Sequence, residues 1–247
     1  MTEAAGAGSV SGAASASVSA APFVSGDRPV VLLTGATGGI GRVVAVELAR
    51  DRDVLALGRD GARLDALRAI DGVIPVEIEL TDFDALARLV GALPRLDVLI
   101  HCAATATQHS VESASVDDWR TQLDLNVVVP AELTRLGLPL LRKSRGQVVF
   151  INSGAGLTGL PGNVVYSASK FALRALADAV RREEEHDGVR VSSVHPGPTS
   201  KGGEREADDP RARPESVARA IRLVVDASDD TQITTVYVRP RVELGTS

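Results

Sequence analysis

Short apolar runs alternate with segments of helical period from residue 29 to about residue 240, and this alternation constrains the fold more than any other feature of the chain. The runs are PVVLLTG (29–35), DVLALG (53–58), GVIPVEIEL (72–80), LDVLIHCAA (96–104), GQVVFINS (146–153), GVRVSSVHPG (188–197) and QITTVYVRP (232–240). Each is short, apolar and bounded by turn residues, which predicts a strand covered on both faces. Helical spacing predicts helices in GIGRVVAVELARD (39–51), GARLDALRAI (61–70), TDFDALARLVGAL (81–93), about Asp117 to Lys143, about 163–186, and PESVARAIRLVVDA (214–227). Thr81 with Asp84 three residues later predicts a capping-box-like start, and Asp82 also reads as a capping residue. Pro214 marks another helix start. Strictly alternating elements with buried strands predict an α/β fold: a single domain built on a doubly wound parallel sheet of about seven strands, with helices on both faces.

Composition narrows the function. The formal charge is −5, and no basic tract interleaved with aromatics suggests a nucleic-acid partner. No apolar run reaches 18 residues, so no membrane span is expected. The single cysteine, Cys102, excludes an intrachain disulfide and fits a reducing, cytoplasmic location. Residues 1–28 are rich in Ala, Ser and Gly without a basic start or solid apolar core, which predicts a flexible tail ahead of a domain at 29–247.

The stretch TGATGGIG (34–41) lies between the first strand and its helix. Glycines there let the backbone turn tightly and approach a pyrophosphate, and the helix N-terminus supplies oriented N–H groups. Gly35, Thr37, Gly38, Gly39, Ile40 and Gly41 are therefore candidate cofactor-binding residues. The end of the second strand, where an acid would bind ribose hydroxyls, reads Gly58-Arg59. A guanidinium there pairs with a 2′-phosphate, which favours NADP(H) over NAD(H).

Tyr166 and Lys170 are four residues apart, which places phenol and ammonium on one helix face. An ammonium beside a phenol is expected to lower the phenol's pKa from its usual value of about 10. Ser153 lies thirteen residues before Tyr166, at the end of the fifth strand, and Asn126 lies in the preceding long helix.

The ordered set of TGATGGIG, Asn126, Ser153, Tyr166-Ser-Ala-Ser-Lys170 and Pro196-Gly197 resembles the short-chain dehydrogenase/reductase family, classical type, over about residues 29–240. The resemblance implies a Rossmann-type fold and hydride transfer between NADP(H) and a small carbonyl compound or alcohol. It implies Tyr166 as general acid or base, Lys170 as its tuning group and ribose ligand, Ser153 as the substrate-oxygen ligand, and Asn126 in a proton relay behind Lys170. It further implies cofactor contacts from Glu79-Leu80 at the adenine, from Cys102-Ala103, and from Pro196, Gly197 and Thr199 near the nicotinamide. No metal is implied, and homodimers or homotetramers are common in the family.

Two features depart from the family pattern. His101-Cys102-Ala103-Ala104 stands where Asn-Asn-Ala-Gly is usual; His101 reads as a satisfied buried histidine, with an added acid/base as the alternative, and the Cys102 thiol is expected to be buried and inert. Only 17 residues separate Pro196 from Pro214, so the substrate lid, about 199–213, is expected to be short and mobile. The alternative function is a non-catalytic NADP(H)-binding regulator on the same fold.

Overall fold

The computed structural model describes residues 27–200 and 209–242. One parallel sheet runs through it, with strands β1 (Val30–Thr34), β2 (Asp53–Gly58), β3 (Val73–Glu77), β4 (Val98–His101), β5 (Gln147–Ile151), β6 (Arg190–Pro196) and β7 (Thr235–Val238). Their order is β3-β2-β1-β4-β5-β6-β7, and every pairing is parallel. The order reverses between β1 and β4, the place where an open α/β sheet leaves a crevice at the carboxyl ends of its strands.

Each strand residue goes to one face or the other, and both faces are covered. Val30 and Leu32 join a core with Leu86, Leu89, Leu133, Leu141 and Leu173. These come from helices α3 (Phe83–Gly91), α5 (Val129–Ser144) and α6 (Val164–Glu184). Val31 and Leu33 point the opposite way, against Val44, Leu48, Val217 and Ile221 of α1 (Gly39–Leu48) and α7 (Pro214–Val225). Helix α2 (Gly61–Arg68) contributes Leu64 and Leu67 to that second core. The uninterrupted apolar strands thus follow from a sheet sandwiched between two helical layers.

Local departures have local causes. Pro75 sits inside β3, opposite Ala56, and is tolerated because β3 is an edge strand that needs no donor on its outer side. Strand β3 ends at Glu77, so Glu79-Leu80 lies beyond the strand rather than at its end. The cap of α3 is Asp82, whose carboxylate accepts from the Ala85 amide at 2.9 Å. Thr81 makes no capping box with Asp84, because its hydroxyl donates to Glu79 instead, at 3.0 Å. Ser115 and Asp118 do form a reciprocal box, at the start of α4 (Val116–Leu123).

The long helical stretch is not uniform. A π-helical turn, Asp124–Val128, separates α4 from α5 and carries fully buried Asn126. One extra residue per turn re-aims a side chain at the cost of poorer backbone geometry. Strand β7 is shorter than its apolar run and alternates between exposed and half-buried residues, because it closes the other edge of the sheet.

Leu32 is fully buried in the central strand. Leu32→Ala is expected to lower unfolding free energy by about 2–5 kcal/mol, the range for a core leucine replaced by alanine. Urea denaturation monitored by far-UV circular dichroism checks it; a loss below about 1 kcal/mol would mean the site collapses around the cavity.

Candidate active site

The glycine loop shows why side chains are absent from it. Gly35 adopts φ +72°, and a Cβ there would lie 2.7 Å from the Ala103 backbone. A Cβ on Gly41 would lie 2.2 Å from the Gly35 carbonyl oxygen. Gly38 is the N-cap of α1, and Gly39, Ile40 and Gly41 form its first turn, which holds no acidic residue. The exposed amides and positive end of α1 therefore face a cradle that a Cβ would fill, a setting suited to a phosphate.

Thr34 joins this loop to the neighbouring strand. Its hydroxyl accepts from the Cys102 and Ala103 amides, both at 3.1 Å. Gly58 abuts Thr37, since a Cβ on Gly58 would lie 2.6 Å from the Thr37 methyl carbon. Arg59 follows, exposed, and donates to Glu79 at 3.3 Å. Desolvation pushes the Glu79 carboxyl up, but hydrogen bonds from Thr81 and Arg59 outweigh it and the net direction is down. Leu80 turns its side chain into the core. Asp60 caps α2, accepting from the Arg63 amide at 3.1 Å. Arg63, which sequence reasoning passed over, pairs with Asp60 at 3.1 Å and donates to the Thr37 carbonyl at 3.3 Å. Its spacing of four from Arg59 was the available signal.

The Tyr/Lys end is built by α6 crossing the end of β5. Lys170 is 2 % exposed, and its Nζ donates to the Ile151 carbonyl at 2.9 Å. The same ammonium lies 5.8 Å from the centre of the Tyr166 ring. Ser153 stands two residues beyond β5, as N-cap of a short 3₁₀ turn (Gly154–Gly156). Its hydroxyl acts on the Tyr166 phenol, lowering the phenol's pKa. Asn126 donates to Ser169 Oγ at 3.0 Å and to the Thr105 carbonyl at 2.9 Å, and accepts from the Thr105 amide at 2.9 Å. Ser169 in turn donates to the Tyr166 carbonyl, so Asn126 braces the turn between Tyr166 and Lys170.

The electrostatics differ from expectation at Tyr166. Burial raises its pKa and outweighs the lowering by the Ser153 hydrogen bond. The ammonium does not reverse this, because it lies 5.8 Å from the ring centre and is itself desolvated. Burial pushes Lys170 down to about 8.

His101 is buried, stacks on Phe150 with ring centres 4.8 Å apart, and meets Thr134 Oγ1 at 2.9 Å. Burial takes it down to about 3, so it stays neutral. Its Nδ1 has no partner, so the ring is only half satisfied. Cys102 is half-buried as a residue, yet its thiol is crowded by protein and desolvation pushes it up to about 12. That argues for an inert thiol.

A cleft of about 610 Å³ opens beside Ser153. Leu157 and Leu160 line it, together with His195, Tyr237 and Arg239, three residues that sequence reasoning missed. His195 Nδ1 lies 3.2 Å from the Ser153 carbonyl and its ring packs on Tyr237 with centres 5.1 Å apart. Pro196 ends β6, and Gly197 donates to the Val238 carbonyl at 2.8 Å. Thr199 bonds the Gly197 carbonyl at 2.9 Å and bridges to Ala212. The feet of the expected lid are thus joined, while residues 201–208 lie outside the described residues.

The chain is also similar to known proteins. The family profile described as short chain dehydrogenase matches residues 29–212. An uncharacterized short-chain type dehydrogenase/reductase of Sinorhizobium fredii is 33% identical, over 85% of this chain and 91% of that protein. An NADP-dependent 3-hydroxy acid dehydrogenase of Salmonella typhi is 29% identical, over 85% and 94%. Among solved structures, the closed form of serine dehydrogenase complexed with NADP+ superposes with a TM-score of 0.81 at 26% identity, covering 88% of this chain and 97% of that one.

The pKa of Lys170 makes a stability prediction. Below about pH 8 the folded chain carries a buried ammonium. As pH rises from there toward the ordinary lysine value of about 10.4, the folded state loses this proton before the unfolded state does, so the burial penalty is relieved. The stability of the unmutated protein relative to Lys170→Met is expected to rise by a few kcal/mol across that window. Denaturant titrations at pH 7, 8, 9 and 10.5 check it, and a difference that stays flat contradicts a desolvated ammonium.

Proposed function

The chain belongs to the short-chain dehydrogenase/reductase family, and on that premise we propose that it is an NADP(H)-dependent oxidoreductase acting between a small ketone or aldehyde and the corresponding alcohol. The observation that carries this reading is the meeting of Ser153, Tyr166 and Lys170 where α6 crosses the end of β5. It is supported by the glycine cradle at the carboxyl ends of the same sheet's strands, by similarity to an NADP-dependent dehydrogenase and by similarity to a dehydrogenase complexed with NADP+.

The residues present fit the cofactor. Gly35 to Gly41 would hold the pyrophosphate at the N-terminus of α1. Arg59, paired here with Glu79, would hold the 2′-phosphate, and Glu79-Leu80 would contact the adenine. Cys102, Ala103, Pro196, Gly197 and Thr199 would contact the nicotinamide end of the cofactor. When bound, the nicotinamide supplies or receives the hydride.

The protein's part is proton management and orientation. The Ser153 hydroxyl donates to the substrate oxygen and positions it beside the Tyr166 phenol. Burial keeps that phenol protonated, which equips it to donate a proton as charge develops on the oxygen. A phenolate formed in this way lies near the Lys170 ammonium, which favours it more than it favours the phenol. Asn126 supports the proton path behind Lys170 by holding Thr105 and Ser169. In alcohol oxidation the same groups work in reverse. The family precedent extends the proposal to a cytoplasmic homodimer or homotetramer with no metal.

Two measurements test it. NADPH is expected to bind more tightly than NADH by roughly 1.5–3 kcal/mol, the range for hydrogen bonds to charged groups. Arg59→Ala is expected to remove most of that gap at low salt in fluorescence titrations; equal affinities in the unmutated protein exclude NADP(H) selectivity. Tyr166→Phe keeps the ring and is expected to slow carbonyl reduction by about 10²–10⁴-fold while NADPH affinity holds. Single-turnover NADPH oxidation reads this; near-normal rates in the variant would mean that another group supplies the proton, and NADPH binding without turnover of any carbonyl compound would favour the regulatory alternative.

A further inference from the structure

Ser153 stands outside the sheet, two residues past the end of β5, as N-cap of a single 3₁₀ turn. A group placed there follows every movement of its turn unless something ties it to the sheet. Most of its hydrogen bonds go to near neighbours in the chain. Its amide donates to Asn152 Oδ1 at 2.9 Å, its Oγ accepts from the Ala155 amide at 3.2 Å, and its carbonyl accepts from the Gly156 amide at 3.0 Å. These bonds shape the turn but move with it.

One further bond comes from another strand. His195 Nδ1 donates to the Ser153 carbonyl at 3.2 Å, from 42 residues away along the chain. A carbonyl oxygen only accepts, so this contact places the ring proton on Nδ1. Burial lowers the pKa of the imidazole, so the neutral ring with that one N–H is the form present at neutral pH. The ring is itself held: it is 2% exposed and packs on Tyr237 of β7 with centres 5.1 Å apart. The backbone beneath it belongs to the sheet, where Val194 pairs with Ile151 and His195 with Tyr237. Among the described residues, His195 is the one side chain from a neighbouring strand that bonds Ser153.

Resting on the oxidoreductase reading, we infer that His195 is a positioning residue: from β6 it anchors the Ser153 backbone, so that the serine hydroxyl stays within reach of both the substrate oxygen and the Tyr166 phenol. A hydroxyl used in this way has to be held to a fraction of an ångström, because a small displacement of an orienting group lowers the rate steeply.

Two substitutions separate the donor from the ring. His195→Phe keeps an aromatic ring against Tyr237 and removes the donor; His195→Asn removes the ring and puts an amide N–H close to where Nδ1 stands. Reduction of hexanal, cyclohexanone and 3-oxobutyrate by NADPH is measured for each. With any compound that the unmutated protein reduces, His195→Phe is expected to lower kcat about 10- to 100-fold while NADPH affinity holds, and His195→Asn to recover most of that loss. In a Ser153→Ala background, His195→Phe is expected to cost less than about threefold more, since an absent hydroxyl needs no placing. Near-normal kcat in His195→Phe, losses that multiply in the double variant, or a Phe variant more active than the Asn variant each overturn the inference. A second measurement needs no substrate. The chain has two tyrosines, Tyr166 and Tyr237, so in a Tyr237→Phe background ultraviolet titration follows Tyr166 alone. Because the Ser153 hydroxyl lowers the Tyr166 pKa, adding His195→Phe is expected to move that titration to higher pH and adding His195→Asn to leave it in place, within the pH range where circular dichroism reports an intact fold. An unmoved titration in the Phe variant overturns the inference. If none of the compounds is reduced although NADPH binds, the oxidoreductase reading has failed, and the titration still decides whether His195 positions Ser153.

Discussion

The ammonium of Lys170 is buried at the carboxyl edge of a parallel sheet, and a cation so placed must be answered by the groups around it. The Ile151 carbonyl answers it at 2.9 Å. That bond ties α6 to the end of β5, and Ser153 stands only two residues further along the chain. The same helix carries Tyr166 one turn earlier, so one buried polar contact sets the distance between three side chains. The loop after β5 presses close as well, since a Cβ on Gly156 would lie 2.8 Å from the Lys170 carbonyl oxygen. Helix, strand end and loop therefore have little freedom to separate without exposing or orphaning the ammonium.

The other end of the groove is governed by an absence of atoms. Gly35 and Gly41 let the loop fold onto itself and onto Ala103, where any side chain would collide with backbone. Thr34 secures that approach with two accepted amides across the β1–β4 gap. One end of the groove is thus held by a buried charge with a partner and the other by backbone packed without side chains. The strand-order reversal between β1 and β4 is what brings both to a common edge.

The substrate side depends on the last third of the chain. His195 packs against the Ser153 carbonyl and the Tyr237 ring, so β6 and β7 shape the cleft next to the reacting groups. Arg239 belongs to the same assembly. The candidate reacting groups sit on α6 and just beyond β5, while β6, β7 and the chain after each line the cleft beside them.

Much of this was legible in the sequence because it is local. Apolar runs of strand length, helical spacing, Pro214 at a helix start, the glycine loop and the four-residue step from Tyr166 to Lys170 all express short-range periodicity, and these located the sheet and the groups of the candidate site. What the sequence did not decide depends on which atoms compete once the chain is folded. Thr81 forms no capping box because Glu79 takes its hydroxyl, and Asp82 caps instead. The π-helical turn at Asn126 reflects contacts with Thr105 and Ser169, 21 and 43 residues away along the chain. Burial, not the neighbouring ammonium, sets the direction of the Tyr166 pKa, and burial is a property of the packed structure. His195, Tyr237 and Arg239 carry no motif, and only the register of β6 with β7 brings them to Ser153. The chain's periodicity determined which elements form and which chemical groups they carry; tertiary packing alone decided which of those groups lose water, which find partners, and which face the cleft.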